Sequence, residues 1–428
     1  MLGRLTGCTL GAARTDGLSR ILQWKEATVT GIRKGVLTFS LQLVARKCPD
    51  KSGRKCGSQM DMTEGRCSRR RFLDDAARWT MSAAGILAVA GCERSRSGPV
   101  AASADLETTR LRVVQTPSMC QSPQYVAQDL LRGEGFTDLQ YIKKPGPKWN
   151  GLAVAFGEAD ISMHFAGPLI LQIEAGDPVV ILAGAHIGCF ELFGTDRVQA
   201  IRDLKGKMVA IPELGAPGHV FLASMLAHVG LDPGSDVSWA IHEPAEAIQL
   251  LADGRVDAYL GFPPDPQEMR ARRIGHVVVN SMIDRPWSQY FCCMVVANRE
   301  FVARHPVATT RALRAILNGI DLSGREPEAA VRFLVDKGYT DQYNYTLEAV
   351  RTIHSGGWRV DYDPEDTLRY YALRLREAGM IRSSPDKIIA RGTDWRFLTE
   401  VRRDRSATAS AAFCSIHRVA SSPSSSEG

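Results

Sequence analysis

The sequence predicts an α/β protein of two lobes, the first assembled from two separated stretches and the second inserted between them. Three observations carry this expectation. From Thr109 onward, short apolar runs rich in β-branched residues alternate with helical patterns, as in layered α/β folds. A late strand-like run, Phe291–Ala297, is followed almost wholly by helical sequence, so it reads as a return to the sheet that the first runs began. A chain of 428 residues, 44% hydrophobic and 23% charged, is also long enough and apolar enough for two compact cores.

The net charge of +6 is unevenly placed: residues 1–92 carry about +9, residues 93–404 about −4 and the tail about +1. The body of the protein is therefore mildly acidic. It has no basic stripe interleaved with aromatics, so nucleic acid is not expected as a partner. Ten cysteines are scattered at 8, 48, 56, 67, 92, 120, 189, 292, 293 and 414. With no CxxC pair and no histidine at zinc-ligand spacing, no metal site is expected, and Cys292 and Cys293 read as neighbouring strand residues.

The front of the chain reads as an address. Ser68-Arg69-Arg70-Arg71-Phe72-Leu73 matches the twin-arginine export pattern, with Arg69, Arg70, Phe72 and Leu73 as the recognised residues. The Ala- and Gly-rich stretch from Trp79 to Gly91 is too short to span a bilayer and suits a signal peptide. Val89-Ala90-Gly91-Cys92 then resembles a lipobox, with Cys92 as the lipidated residue. On this reading residues 60–92 are the signal, translation starts at Met60 or Met62, and residues 1–59 are an extension without a fold. Residues 93–108 read as a linker, and 405–428 as a disordered Ser/Ala-rich tail.

Between them the elements follow in order. Strands are expected at 110–116, 139–143, 160–165 and 179–186, with helices at 124–132, 149–157 and 168–175. The second unit begins near Thr195, with strands at 208–211, 237–242, 257–260 and 276–279 and helices at 220–229 and 245–252. Asp284-Arg285-Pro286-Trp287 marks the crossing back, and helices follow at 306–322, 328–337 and 364–378. The expected partition is residues 109–195 plus 288–404 for the first lobe and 196–287 for the second.

Several short motifs add up along this frame: Tyr125-Val126-Ala127 with Gly135-Phe136, Gly157-Glu158-Ala159-Asp160, the run from Asp203 to Val209, and Leu251 through Tyr259. In order and spacing they resemble the nitrate/sulfonate/taurine (NitT/TauT) class of periplasmic solute-binding proteins over residues 109–400. The resemblance implies a type II periplasmic-binding-protein fold, two α/β lobes joined by a two-crossing hinge that close over a small ligand. It implies further a monomer without cofactor, delivering its solute to a permease and ATPase in the inner membrane. Met119-Cys120-Gln121 and the run Gly215–His219 depart from the aromatic or Ser/Thr-rich patches that sulfonate binders often carry.

Open α/β sheets bind ligands beyond the carboxyl ends of their strands, where helix N-termini present free amides and partial positive charge. Four loops meet that description. They offer Ser118 and Gln121; Phe165 and Gly167; Gly215, Ala216, Gly218 and His219; and Phe262. His186 at a strand end and Trp287 near the crossing complete the candidate contacts, the aromatics serving as flat apolar walls. An anionic or polar organic solute is the expected ligand. No nucleophile elbow, P-loop, zincin helix or dinucleotide fingerprint occurs in this region, so a binding protein and not an enzyme is expected. Two alternatives stay open: an enzyme like the thiamine-pyrimidine-precursor synthases, to whose Cys-rich motif Phe291-Cys292-Cys293-Met294 bears a faint likeness, and a receptor serving a membrane sensor.

Overall fold

In the computed structural model, residues 105–406 are described, except 117, 145–146, 356 and 359–361. The predicted extension and signal, with Arg69, Arg70, Phe72, Leu73 and the lipidation site Cys92, lie outside the described residues.

The first stretch runs β1 (Arg110–Gln115), α1 (Pro123–Val126), α2 (Gln128–Gly133), β2 (Asp138–Lys143), α3 (Pro147–Ala155), β3 (Ile161–Phe165), α4 (Ala166–Ala175) and β4 (Val179–Ile187). The inserted stretch runs β5 (Glu191–Gly194), β6 (Met208–Ile211), α5 (Pro217–His228), β7 (Ser238–Ile241), α6 (Pro244–Ala252), β8 (Ala258–Gly261), α7 (Asp265–Arg272) and β9 (His276–Asn280). The chain then returns as β10 (Phe291–Asn298). Helices α8 (Arg299–Arg304), α9 (Pro306–Arg325), α10 (Pro327–Asp336), α11 (Tyr343–His354), α12 (Pro364–Glu377) and α13 (Pro385–Gly392) follow, and a last helix occupies 396–406. Prolines 217, 244, 306, 327, 364 and 385 open helices, where a missing N–H costs nothing because the first-turn amides have no intrahelical acceptor.

Two five-stranded sheets result, ordered β2-β1-β3-β10-β4 and β7-β6-β8-β5-β9. The expectation of parallel layers is corrected in one respect: β10 runs antiparallel to β3 and β4, and β5 antiparallel to β8 and β9. Each of these two strands enters its lobe from the hinge, while its neighbours arrive at the hinge end, so opposite direction is forced. Strand β5 also moves the expected lobe boundary. It pairs in the second sheet, so the outward crossing is Gly188–Phe190 and does not follow residue 195.

Every residue of β10 is buried, as is all of β3; β10 accordingly reads as a nearly continuous apolar run, whereas β3 carries Ser162 and His164 between its apolar residues. β1 and β3 share a single register pair, Val113 with Ile161. Gln124 fills the gap beyond it: its Nε2 donates to the Val114 carbonyl at 2.9 Å, and its Oε1 accepts from the Met163 amide at 2.8 Å. The helix expected over 124–132 is divided at Ala127 into α1 and α2.

Both edges of the described body differ from expectation. Leu106, inside the predicted linker, packs against the core, and the Glu107 carboxylate accepts from the Val307 and Ala308 amides at the start of α9, each at 2.9 Å. A carboxylate there satisfies orphan helix N–H groups, a local role that composition alone does not reveal. Arg405, placed in the predicted tail, donates to Asn318 at 2.9 Å, pairs with Asp321 and lies over the Trp358 ring.

Candidate functional site

The two lobes meet face to face. The Met119 amide in the loop after β1 donates to the Pro263 carbonyl in the loop after β8, at 3.3 Å. Phe165 at the end of β3 packs on Phe262 (ring centroids 5.6 Å apart) and on Phe190 in the outward crossing (5.0 Å). Phe190 in turn stacks on Phe221 of α5 at 4.5 Å. Four rings from both lobes and the hinge thus form one apolar cluster. Arg270 of α7 ties the lobes at their rim, pairing with Glu191 of β5 and with Glu348 of α11 at 2.6 Å.

Two helix N-termini point into this junction. Phe165 caps α4 in extended conformation, and a side chain on Gly167, in its first turn, would stand 2.9 Å from Val220 Cγ1 of α5. Ala216 caps α5, fully buried, with Pro217 behind it. Gly215 has φ of +84°, which favours glycine, and its amide donates to His219 Nδ1 at 3.1 Å. A side chain on Gly218 would meet the Leu260 carbonyl at 3.5 Å, ordinary contact, so that glycine is not demanded by space.

The remaining candidates separate. His219 packs edge-on against Trp239 of the edge strand β7, 4.8 Å between centroids, and burial pushes its pKa down to about 4, so it is a neutral acceptor for Gly215. Trp287 is placed against His228, the last residue of α5. A twelve-residue helix is about 18 Å long, so the Trp287 ring stands at the opposite end of α5 from the cleft loops and is not a wall beside Phe262.

Ser118, Gln121 and His186 lead to a feature that local spacing concealed. Ser118 Oγ lies 3.0 Å from Cys120 Sγ, and Gln121 Nε2 lies 4.0 Å from Cys293 Sγ. Cys293 is in register with Phe165 on one side and His186 on the other, so the cysteine and histidine stand side by side across the sheet. The Sγ atoms of Cys120 and Cys293 and a ring nitrogen of His186 all lie within 4.8 Å of one another. Cys189 Sγ, in the outward crossing, is 2.9 Å from Cys292 Sγ, and with Cys293 these form a second such group. Burial opposes ionisation of Cys293, but the neighbouring Cys120 and Cys189 thiols and His186 outweigh it and hold its pKa below the ordinary thiol value. His354 of α11 packs edge-on against His186 at 5.3 Å. Sequence reading missed Cys120, Cys189, Phe190, Phe221 and His354 as site residues. For the first four the signal available was only that each sits beside a predicted loop or crossing; His354 ends a helix, Tyr343–His354, that the sequence reading did not place.

Two α/β lobes with this strand order, joined by two crossings and meeting at loop ends, define the periplasmic-binding-protein fold. The sequence profile of the family described as NMT1/THI5 like matches residues 123–330. Among solved structures the chain is similar to the alkanesulfonate-binding protein SsuA from Xanthomonas axonopodis pv. citri, bound to MOPS (15% identity, TM-score 0.54, covering 68% of this chain and 100% of that one). It is similar also to the periplasmic nitrate-binding protein NrtA from Synechocystis PCC 6803 (14%, 0.57, 70% and 89%). A third is the periplasmic aliphatic sulphonate binding protein SsuA from Escherichia coli (16%, 0.54, 66% and 92%). No curated protein matches the chain in sequence. The chain thus carries an NMT1/THI5-like domain in a periplasmic-binding-protein fold, and its resemblance to the nitrate/sulfonate/taurine class extends from motifs to architecture.

Proposed function

We propose that this protein is a solute-binding receptor of an ABC importer, capturing a small anionic or polar organic solute of the sulfonate, nitrate or taurine kind between its lobes. The observation that carries this reading is the meeting of the α4 and α5 N-termini, one from each lobe, beside the ring cluster of Phe165, Phe190, Phe221 and Phe262. Free amides at two helix starts favour an anionic group, and flat rings favour an organic remainder. A hinged pair of lobes can convert occupancy into a shape that a permease reads. Export by the twin-arginine route and anchoring through a lipid on Cys92 complete the proposal. No helix among the described residues is long and apolar enough to cross a membrane.

The test is a thermal-shift screen of the purified protein against alkanesulfonates, carboxylates and nitrate, since binding to the native state raises apparent stability. One class should raise the unfolding temperature, and Phe262→Ala should abolish the rise. Stabilisation by none of them counts against the reading, and turnover of a hit without a partner would favour the synthase-like alternative. Cys92→Ser should release the protein from membranes; continued retention would count against the lipid anchor.

A further inference from the structure

We propose that Cys120, His186 and Cys293 form a binding site for a thiophilic divalent cation of the zinc class, between the loop after β1, the end of β4 and the start of β10. This goes beyond solute capture and stands whichever solute the cleft takes. Convergence is the first ground. The three residues come from the loop after β1, the end of β4 and the start of β10, separated by 66 and 107 positions, yet their ligating atoms lie within 4.8 Å of one another. Two ligands on a tetrahedral zinc ion stand about 3.8 Å apart, given Zn–S bonds of about 2.3 Å, so small side-chain movements close the shell.

The second ground is the histidine tautomer. His186 Nδ1 faces two carbonyl oxygens, of Ile187 at 3.2 Å and Gly188 at 3.1 Å, which can only accept. Nδ1 therefore carries a proton, which leaves Nε2 as the ring nitrogen able to ligate. That Nε2 is buried without a hydrogen-bond partner, on a side chain that is 1% exposed. An imidazole tethered through Nδ1–H to backbone carbonyls, with its other nitrogen unsatisfied beside thiols, has the arrangement of a metal-ligating histidine.

Charge is the third ground. Binding deprotonates the Cys120 and Cys293 thiols, the two protons pass to solvent, and two thiolates with a neutral imidazole cancel a dication. No electron is transferred. A neutral shell is what a fully buried site requires, and soft sulfur donors disfavour magnesium and calcium.

The experiment titrates reduced, metal-stripped full-length protein with zinc(II), and in parallel with cobalt(II) as an absorbing probe. The proposal expects one ion per chain, a thiolate-to-cobalt charge-transfer band, and two protons released per ion. Cys120→Ser, Cys293→Ser and His186→Gln should each weaken zinc binding by at least ~10-fold, since loss of even an outer-shell partner costs that much. Cys292→Ser should retain the site. Should the variants fail to fold, the charge-transfer band and proton count of the wild-type protein still decide. Folded wild-type protein without that band, or zinc affinity unchanged in the folded Cys120→Ser and Cys293→Ser variants, overturns the proposal.

Discussion

The Ser281 hydroxyl oxygen accepts the backbone amides of both Cys189 (3.1 Å) and Phe190 (2.9 Å), so the return crossing fastens the outward one at the point where the lobes join. The Ser281 amide answers by donating to the Phe190 carbonyl at 2.9 Å. Ser281→Ala should leave two buried amides without an acceptor and destabilise the protein by about 2–4 kcal/mol. Chemical denaturation measures this. A loss within about 0.5 kcal/mol would mean that the crossings are held by other contacts.

Gly188 sits in the same crossing with φ of +53°, and a Cβ there would lie 2.4 Å from Met282 Cα. The obstacle is backbone, which cannot swing aside as a side-chain tip does. Gly188→Ala is expected to cost at least ~2 kcal/mol and to displace the two crossings. An unfolding midpoint equal to wild type would refute this assignment of the glycine.

Arg270 links α7 of the second lobe to Glu348 of the first, while its other contact, Glu191, is 7% exposed. The two carboxylates should respond differently. Arg270→Met leaves Glu191 buried and unpaired, with an expected loss of about 2–3 kcal/mol after allowance for the partly exposed guanidinium. Glu348→Gln, at the exposed end, should cost less than about 1 kcal/mol and lose its effect at high salt. Equal losses from the two variants would contradict this ordering.

Burial lowers the pKa of His164 and of His219 to about 4 in each case. In the unfolded chain both titrate near the ordinary value of about 6.5, so below that pH the unfolded state takes up protons that the native state refuses. Their contribution to stability is complete above pH ~6.5 and is lost as pH falls towards 4, by at most about 1.4 kcal/mol per pH unit for each histidine. Urea midpoints measured across that window should fall with pH, and His219→Gln should flatten the slope. A variant with the wild-type slope would show that His219 titrates normally.

Much of the architecture was legible because strand and helix periods are local properties. The alternation of β-branched runs with helical stretches located nine of the ten strands, and Pro at helix starts marked boundaries that the structure keeps. Strand β5 escaped notice because four residues, Glu191–Gly194, carry too little pattern to be told from the crossing beside them. Helix α11 escaped for a different reason: its buried positions Thr346, Ala349, Val350, Ile353 and His354 mix small, polar and apolar types, and their common face becomes visible only against its neighbours.

The candidate site divides along the same line. Sequence by itself placed Ser118, Gln121, Phe165, Gly167 and Phe262 at or just beyond strand ends, because the order of elements along a chain decides which connections lie at which end of a sheet. Only the tertiary structure decided that Trp287 would pack at the far end of α5, that His219 would turn to Trp239, and that the ligating atoms of Cys120, His186 and Cys293 would come within 4.8 Å of one another. Those outcomes depend on sheet register and on the antiparallel entry of β10, which sets Cys293 between Phe165 and His186. Register is a relation between segments more than a hundred residues apart, and packing energy, not local propensity, selects it.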